Sequence, residues 1–415
     1  MEFLNSWIFP CLGASGKPPL VYRHKTQTLQ VSTCFSFQPW FHPLPMSNFG
    51  VGSTGAKERE RICIVGSGNW GTAIGKLVAE NVLKHSTRFH KTVKMWVFEE
   101  IIDDEKLTDV MNLTHENIKY LPGHTLPTNL VAVPDLEQVV VDASLIVFVI
   151  PPQFLERLLP TIKSKLAPNV CAVSLIKGLS FDDQKGVVLI SDIIRGGLGK
   201  GIDVSVLQGA NVANEVADGN FCEATLGYTI KSNAENILYA FNTPTFRVQL
   251  VNDPIGVELC GGLKSIVGLG AGMCDGLGYS SNSKAAVIRN GMMEMIRFGQ
   301  VYFSGVSPST FLESCGVAAV FVEATNGRSR RCAEIFVRTG MAWGLIEKNI
   351  LQQQKVEGVA TAASVYALLE RDGKLDKFPF FTTVYKIALQ NMNPTLLIKS
   401  VCPNNDGATV RETKL

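Results

Sequence analysis

From Arg61 onward, short runs of β-branched and apolar residues alternate with longer amphipathic stretches. The runs fall at 62–65, 93–98, 130–133, 144–150, 170–176, 204–208, 224–229 and 246–251. Their alternation with helical spacing predicts a mostly parallel sheet flanked by helices. From about Asp253 the strand runs become scarce. A helical period dominates 256–270, 283–303, 328–339, 358–371 and 378–391, which predicts an all-α second domain. The expected organisation is an extension over 1–56, an α/β domain over 57–252, a helical domain over 253–400 and a tail over 401–415.

Composition narrows this picture. The chain has 415 residues, 46% of them hydrophobic and 18% charged, enough to bury a large core. A net charge of +2 without a run of five or more like charges gives no reason to expect nucleic acid as a partner, so a basic site should be local and aimed at a small anion. The ten cysteines are scattered with no CxxC pair, which argues against structural zinc and a disulfide framework and fits a reducing compartment. No apolar stretch reaches the ~18 residues of a membrane span, so a soluble chain is expected.

The two ends raise separate questions. Residues 1–56 are rich in Pro, Phe, Ser and Thr and carry only Glu2 as an acid. They read either as an organellar transit peptide or as a disordered tail or over-extended start, since Met46 could begin a shorter chain. The final Thr413-Lys414-Leu415 is similar to a peroxisomal address. The expected compartment is the cytoplasm, with the peroxisome or another organelle as alternatives.

The first chemistry-bearing motif is Gly66-Ser67-Gly68-Asn69-Trp70-Gly71, directly after the strand Ile62–Val65. The first glycine permits a tight turn, the second lets backbone approach a phosphate, and the third lets the following helix pack against its strand. That helix carries Ile74, Leu77, Val78 and Val82 on one face, so its initial N–H groups point at a pyrophosphate. This strand–glycine loop–helix unit predicts a Rossmann-type dinucleotide site. The second strand ends at Trp96-Val97-Phe98-Glu99-Glu100, where such folds commonly place an acid on the adenosine ribose. Acids there without a following arginine favour NAD over NADP.

Reducing a ketone with a nicotinamide needs a proton donor near the carbonyl oxygen. The six histidines, His24, His42, His85, His90, His115 and His124, all precede the helical domain. With zinc unsupported as well, a lysine is the leading donor, and Lys264 in the small, apolar segment Glu258–Ser265 is the best candidate. Its alternative is a lysine whose stem packs while its head reaches water. Lys177, after the apolar run Ala172–Ile176, faces the usual ligand crevice at a strand's carboxyl end, and Arg328, after Asn326-Gly327, is of the type that binds phosphate bidentately.

These residues sit in long segments that resemble the NAD-dependent glycerol-3-phosphate dehydrogenases over roughly 61–392. The segments are GSGNWGTAI (66–74), MWVFEE (95–100), HENIKYLPGHTLP (115–127), SLIKG (174–178), EVADGNFCEATLG (215–227), GAGMCDGLG (270–278), KAAVIRNGMMEMIRFG (284–299) and FLESCGVA (311–318). The resemblance implies a Rossmann domain, an all-α substrate-binding and dimerisation domain, a homodimer, and interconversion of dihydroxyacetone phosphate and sn-glycerol 3-phosphate. It implies Lys264 as proton donor and acceptor, Lys177 and Arg328 on the substrate phosphate, and Asn211 as an active-site asparagine. Phe98, Phe154, Ala213 and Lys355 match cofactor contacts.

The substrate site departs from the family pattern. Where that pattern reads GVADLITT and then GGRNRK, this chain has Gly316-Val317-Ala318-Ala319-Val320-Phe321-Val322-Glu323 and Asn326-Gly327-Arg328-Ser329-Arg330-Arg331. The active-site aspartate is therefore Ala319, a threonine is Glu323, and the asparagine after the arginine is Ser329. The asparagine beside the lysine is Ser265, and a cofactor-contacting glutamine is Glu357. Positions 319 and 323 share a helical face, so Glu323 is expected to orient and charge-balance Lys264 in place of the aspartate. The alternatives are a solvent-facing Glu323 with an impaired site, an NAD-binding sensor or dimer partner without catalysis, and a dehydrogenase of another hydroxy substrate.

Overall fold

The computed structural model describes residues 59–401 apart from 183, 185, 200, 352 and 353. The expected extension over 1–56 and the Thr413–Leu415 address lie outside those residues. Eight strands form one sheet: β1 (Ile62–Val65), β2 (Val93–Trp96), β3 (Leu130–Val133), β4 (Leu145–Phe148), β5 (Cys171–Ser174), β6 (Asp203–Gly209), β7 (Cys222–Gly227) and β8 (Phe246–Val251). Their spatial order is β8-β7-β6-β5-β4-β1-β2-β3, parallel throughout except between β6 and β7. All eight expected runs are strands, with each end within two residues of the expected one.

The side-chain alternation of β1 explains why no position in it is polar. Ile62 and Ile64 enter the core on one face, and Cys63 and Val65 enter the core on the other. Helix α1 (Asn69–Lys84) covers the first face with Ile74, Leu77, Val78 and Val82. Because β1 lies between β2 and β4, the winding direction of the sheet reverses at its carboxyl end, where the crevice of a doubly wound sheet opens. The glycine loop starts there.

Helix α2 (Ala213–Ala217) follows β6, and five later helices pack against α3 (Pro254–Gly276). These are α4 (Ser281–Tyr302), α5 (Ala319–Asn326), α6 (Arg328–Thr339), α7 (Glu357–Arg371) and α8 (Pro379–Leu389). Asp253 starts α3 by accepting from the Gly256 amide at 2.8 Å, and Pro254 occupies the first turn, where its missing N–H costs nothing. The same carboxylate accepts from the Ser307 amide at 3.0 Å and the Thr310 hydroxyl at 2.6 Å.

One expectation needs correction. Helix α3, with 23 residues, is long and apolar enough by composition to cross a bilayer, because Glu258 and Lys264 interrupt its apolar run without lowering its mean hydropathy far. Its apolar window is entirely buried inside the protein, which makes it a core helix.

Two short hairpins were not legible. They pair Ile101–Ile102 with Glu105–Lys106 and Ser180–Asp182 with Gly186–Val188. Neighbouring elements also cap two helix starts with buried glutamates. Glu258 of α3 accepts from the amides of Ile190 and Ser191, which open the helix Ile190–Leu198. Glu294 of α4 accepts from the Phe380 amide at 2.8 Å and the Phe381 amide at 2.9 Å, which open α8. Burial raises both carboxyls from 4.5 to about 7, against the lowering effect of those amides.

A carboxyl whose folded pKa is raised stabilises the fold most below its unfolded pKa and loses that contribution as pH rises toward 7. Glu294→Gln should therefore flatten part of the decline in stability between pH 4.5 and 7, since the amide cannot ionise. Glu294→Ala, which leaves two buried amides unpaired, should cost roughly 2 kcal/mol in denaturant unfolding. An unaltered pH slope in Glu294→Gln would show that this carboxyl does not titrate with folding.

Candidate active site

The glycine loop is built for backbone approach. Gly66 has φ +122°, and a methyl group there would meet the Val149 carbonyl oxygen at 2.3 Å. At Gly68 a methyl would meet nothing within 4 Å, so this side of the loop is open where a pyrophosphate would lie against the first turn of α1. The buried Asn117 side chain donates to the Ser67 carbonyl at 3.0 Å and the Thr72 hydroxyl at 2.9 Å, holding the loop's shape. Asn69 donates to the Tyr120 carbonyl and to Asn214 of α2. Trp70 packs on Phe246, and Ala213 is buried in a cluster with Ala73 and Leu121.

Around this cradle, Phe98 and Phe154 are exposed aromatics, at 66% and 41% accessibility, and the Arg157 guanidinium lies 5.3 Å from the Phe154 ring. Exposed aromatic faces beside a dinucleotide loop suit the stacking of flat rings. The acids at the end of β2 are engaged within the protein. Glu99 accepts from the Thr108 amide and hydroxyl, and Glu100 from Lys119 and the Tyr120 hydroxyl.

Lys264 lies in the middle of α3 and is 8% exposed. Among the described histidines, His85 packs against Tyr239, and His124 meets Asp218 at 3.0 Å. Lys177 follows β5, whose end is braced by a hydrogen bond from the Gln208 amide group to the Ile176 carbonyl. The Lys177 side chain stays open to water in a crevice walled by protein. Crowding by those walls, then the charge of Lys264, depresses its pKa from 10.5 to about 8. Arg328 adds to the depression, while Glu357 and Glu323 oppose it, so these five side chains share one electrostatic neighbourhood.

Arg328 opens α6 and donates to Gln354. Ser329 behind it is buried. Glu357 opens α7 exposed to solvent, with Oε1 3.9 Å from the position a methyl on Gly178 would take. Lys355 is held at 2.8 Å by Glu347 with its side chain outward.

Ala319, buried at 2%, and Glu323 lie on one helix, α5. Glu323 is half-buried and turned inward: its Oε1 lies 3.0 Å from where a methyl on Gly268 would stand and 2.5 Å from one on Gly327. The absence of both side chains creates the niche for its carboxylate. Gly268 is one turn beyond Lys264 on α3, yet among the described residues Glu323 and Lys264 form no salt bridge, and the charge of Glu323 acts on Lys177.

Asn211 donates to the Glu223 carbonyl at 2.9 Å, and Ser314 donates to the same oxygen at 2.7 Å. Ser314 opens a π-helical turn, Ser314–Ala318, which leads directly into α5, and the Cys315 amide donates to Thr225 of β7. Such turns are uncommon and concentrate at functional sites. Neither this turn nor the bracing by Asn117 is legible in residue patterns, although they lie within 311–318 and 115–127.

Known proteins are similar to this chain over most of its length. Residues 61–234 match the model of the NAD-dependent glycerol-3-phosphate dehydrogenase N-terminus, and 253–399 that of its C-terminus. The chain is 50% identical over 339 residues to a glycerol-3-phosphate dehydrogenase 1-like protein of Mus musculus, covering 81% of this chain and 95% of that one. It is 49% identical to the cytoplasmic NAD-dependent glycerol-3-phosphate dehydrogenase of Bos taurus, covering 80% and 94%. Among solved structures, a glycerol-3-phosphate dehydrogenase of Saccharomyces cerevisiae is similar with a TM-score of 0.79 and 39% identity, covering 83% and 99%.

The two glycines should respond differently to a methyl group. Gly68→Ala should keep the parent's melting temperature and weaken NADH binding on the order of tenfold, measured by fluorescence titration. Gly66→Ala should lose about 3 kcal/mol of stability through the Val149 carbonyl and its positive φ. Parent-like NADH affinity in Gly68→Ala would place the pyrophosphate elsewhere.

Proposed function

This chain belongs to the NAD-dependent glycerol-3-phosphate dehydrogenase family, and from that premise we propose that it interconverts dihydroxyacetone phosphate and sn-glycerol 3-phosphate with Lys264 as proton donor and acceptor. It is an oxidoreductase, and NAD is its cofactor. The observation that carries the reading is the convergence of Lys264, Lys177 and Arg328 in one charged neighbourhood. Three cations gathered beside an apolar helix call for an anionic ligand, and a phosphate fits them.

Arg328 offers a planar fork to two phosphate oxygens, and Lys177 offers a point charge. Anchoring the phosphate positions the carbonyl carbon, which removes much of the orientational freedom that a reaction in solution must lose. Lys264 donates a hydrogen bond and then a proton to the carbonyl oxygen, and its enclosed position strengthens that polarisation. In the reverse direction its neutral amine takes the hydroxyl proton. The loop Gly66–Gly71 holds the pyrophosphate, with Phe98, Phe154, Ala213, Arg328, Lys355 and Glu357 along the rest of the cofactor. When bound, the reduced nicotinamide supplies the hydride.

Asn211 and Ser329 complete the substrate wall, and Glu323 supplies the carboxylate missing at Ala319, acting on the cation cluster as a whole. The chain acts as a homodimer, its substrate domain begins near 253, and the cytoplasm named for the Bos taurus relative is its compartment. The buried Ala319 favours a second reading, an NAD-binding sensor without turnover.

NADH oxidation with dihydroxyacetone phosphate separates the two: turnover is expected, and a folded, NADH-binding protein without it would establish the sensor. Lys177 holds its charge below about pH 8 in the free protein and loses it above. The ratio kcat/KM should therefore fall about tenfold per pH unit on the alkaline side, with kcat less affected. Lys177→Ala should abolish that limb and raise KM about a hundredfold, the worth of a charged hydrogen bond near 2.7 kcal/mol. A limb that persists in Lys177→Ala would assign it to another group.

A further inference from the structure

We infer that Glu323 and Glu357 set the charge this site accepts, restricting it to ligands that carry a single phosphate on an otherwise uncharged body. The inference rests on the dehydrogenase reading and narrows its substrate class.

The two carboxylates flank the anion site from different elements. Glu357 reaches in from the start of α7 beside Gly178, the residue after Lys177. Glu323 reaches in from α5 and lies in the niche that Gly268 and Gly327 leave open, between the helix of Lys264 and the residue before Arg328. Both act on the Lys177 ammonium in opposition to Lys264 and Arg328. Three cations against two carboxylates leave the cluster with one net positive charge while Lys177 is protonated.

A phosphate dianion converts that single positive charge into a single negative one, and bidentate contacts with Arg328 offset the excess. A second anionic group on the ligand would add a further negative charge to a crevice already holding two carboxylates. Lys355 is paired with Glu347, and Arg330 with Asp275 and Glu334. Neither is free to take up the excess. Without the two carboxylates the cluster would carry three positive charges and would favour such a ligand. At roughly 8 Å and an effective dielectric constant of about 40, each carboxylate disfavours one extra ligand charge about fivefold.

The test is competition against dihydroxyacetone phosphate in the NADH-loaded enzyme at pH 7, with glycerol 3-phosphate and 3-phosphoglycerate as inhibitors. These probes share the phosphate and differ by one carboxylate. The parent should bind 3-phosphoglycerate more weakly, and the ratio of the two inhibition constants should shrink about fivefold in Glu357→Gln and again about fivefold in Glu323→Gln combined with it. Glu357 is exposed at a helix start, so the first variant keeps the question open to test even if changes at Glu323 disturb folding. Discrimination should also weaken with added salt.

A ratio unchanged in Glu357→Gln and in the double variant would overturn the inference while leaving the dehydrogenase reading intact. If the parent shows no turnover, the dehydrogenase reading fails. The ratio is then measured by calorimetric titration of the same two probes into the NADH-loaded protein, and the same outcomes decide the inference.

Discussion

Lys264 carries an amine into the middle of the longest helix described in this chain, and the surrounding structure is arranged around the cost of putting it there. A charged group deprived of water must be compensated or must give up its proton. The charges gathered beside it act collectively on Lys177. Lys264 and Arg328 crowd Lys177 with positive charge, Glu323 and Glu357 oppose them, and the whole cluster lies where the strand-end loop after β5 meets α3, α6 and α7. The positive charge that remains is what a phosphate would meet.

Holding five charged side chains in one crevice requires stiff supports. Asp253 fixes the start of α3, Gln208 braces the end of β5, and the π-helical turn Ser314–Ala318 is tied to β7 before it releases the chain into α5. Missing side chains contribute as much as those present. Without Cβ atoms at Gly268 and Gly327, the Glu323 carboxylate can turn inward against α3. The glycine loop uses the same device on the cofactor side, where Gly66 makes the turn and Gly68 leaves its outer side open.

Much of this was legible in the sequence because it depends on periodicity and local chemistry. The apolar run Ile62–Val65 followed by Gly66, Gly68 and Gly71 specifies strand, turn and helix within ten residues. The helical period from Asp253 onward follows one continuous core around α3. Lys264, Lys177 and Arg328 could be singled out because each is a cation where an apolar or glycine-rich context is otherwise maintained. Other features depend on contacts between residues far apart in sequence. That Glu323 acts on Lys177, that Glu99 is committed to Thr108, and that Glu258 and Glu294 cap helices from outside all depend on tertiary placement. Helix α3 shows the same limit: its composition alone would suit a membrane, and only the helices packed around it show that it is a core helix.

The central claim is that the Lys264 amine delivers the proton, and chemical rescue tests it most directly. Turnover of dihydroxyacetone phosphate by Lys264→Ala is followed with NADH while small primary amines of graded pKa are added. The variant should fold, lose turnover by at least about a hundredfold, and recover rate in proportion to amine concentration with a dependence on amine pKa. Parent-like turnover in Lys264→Ala without added amine would contradict it.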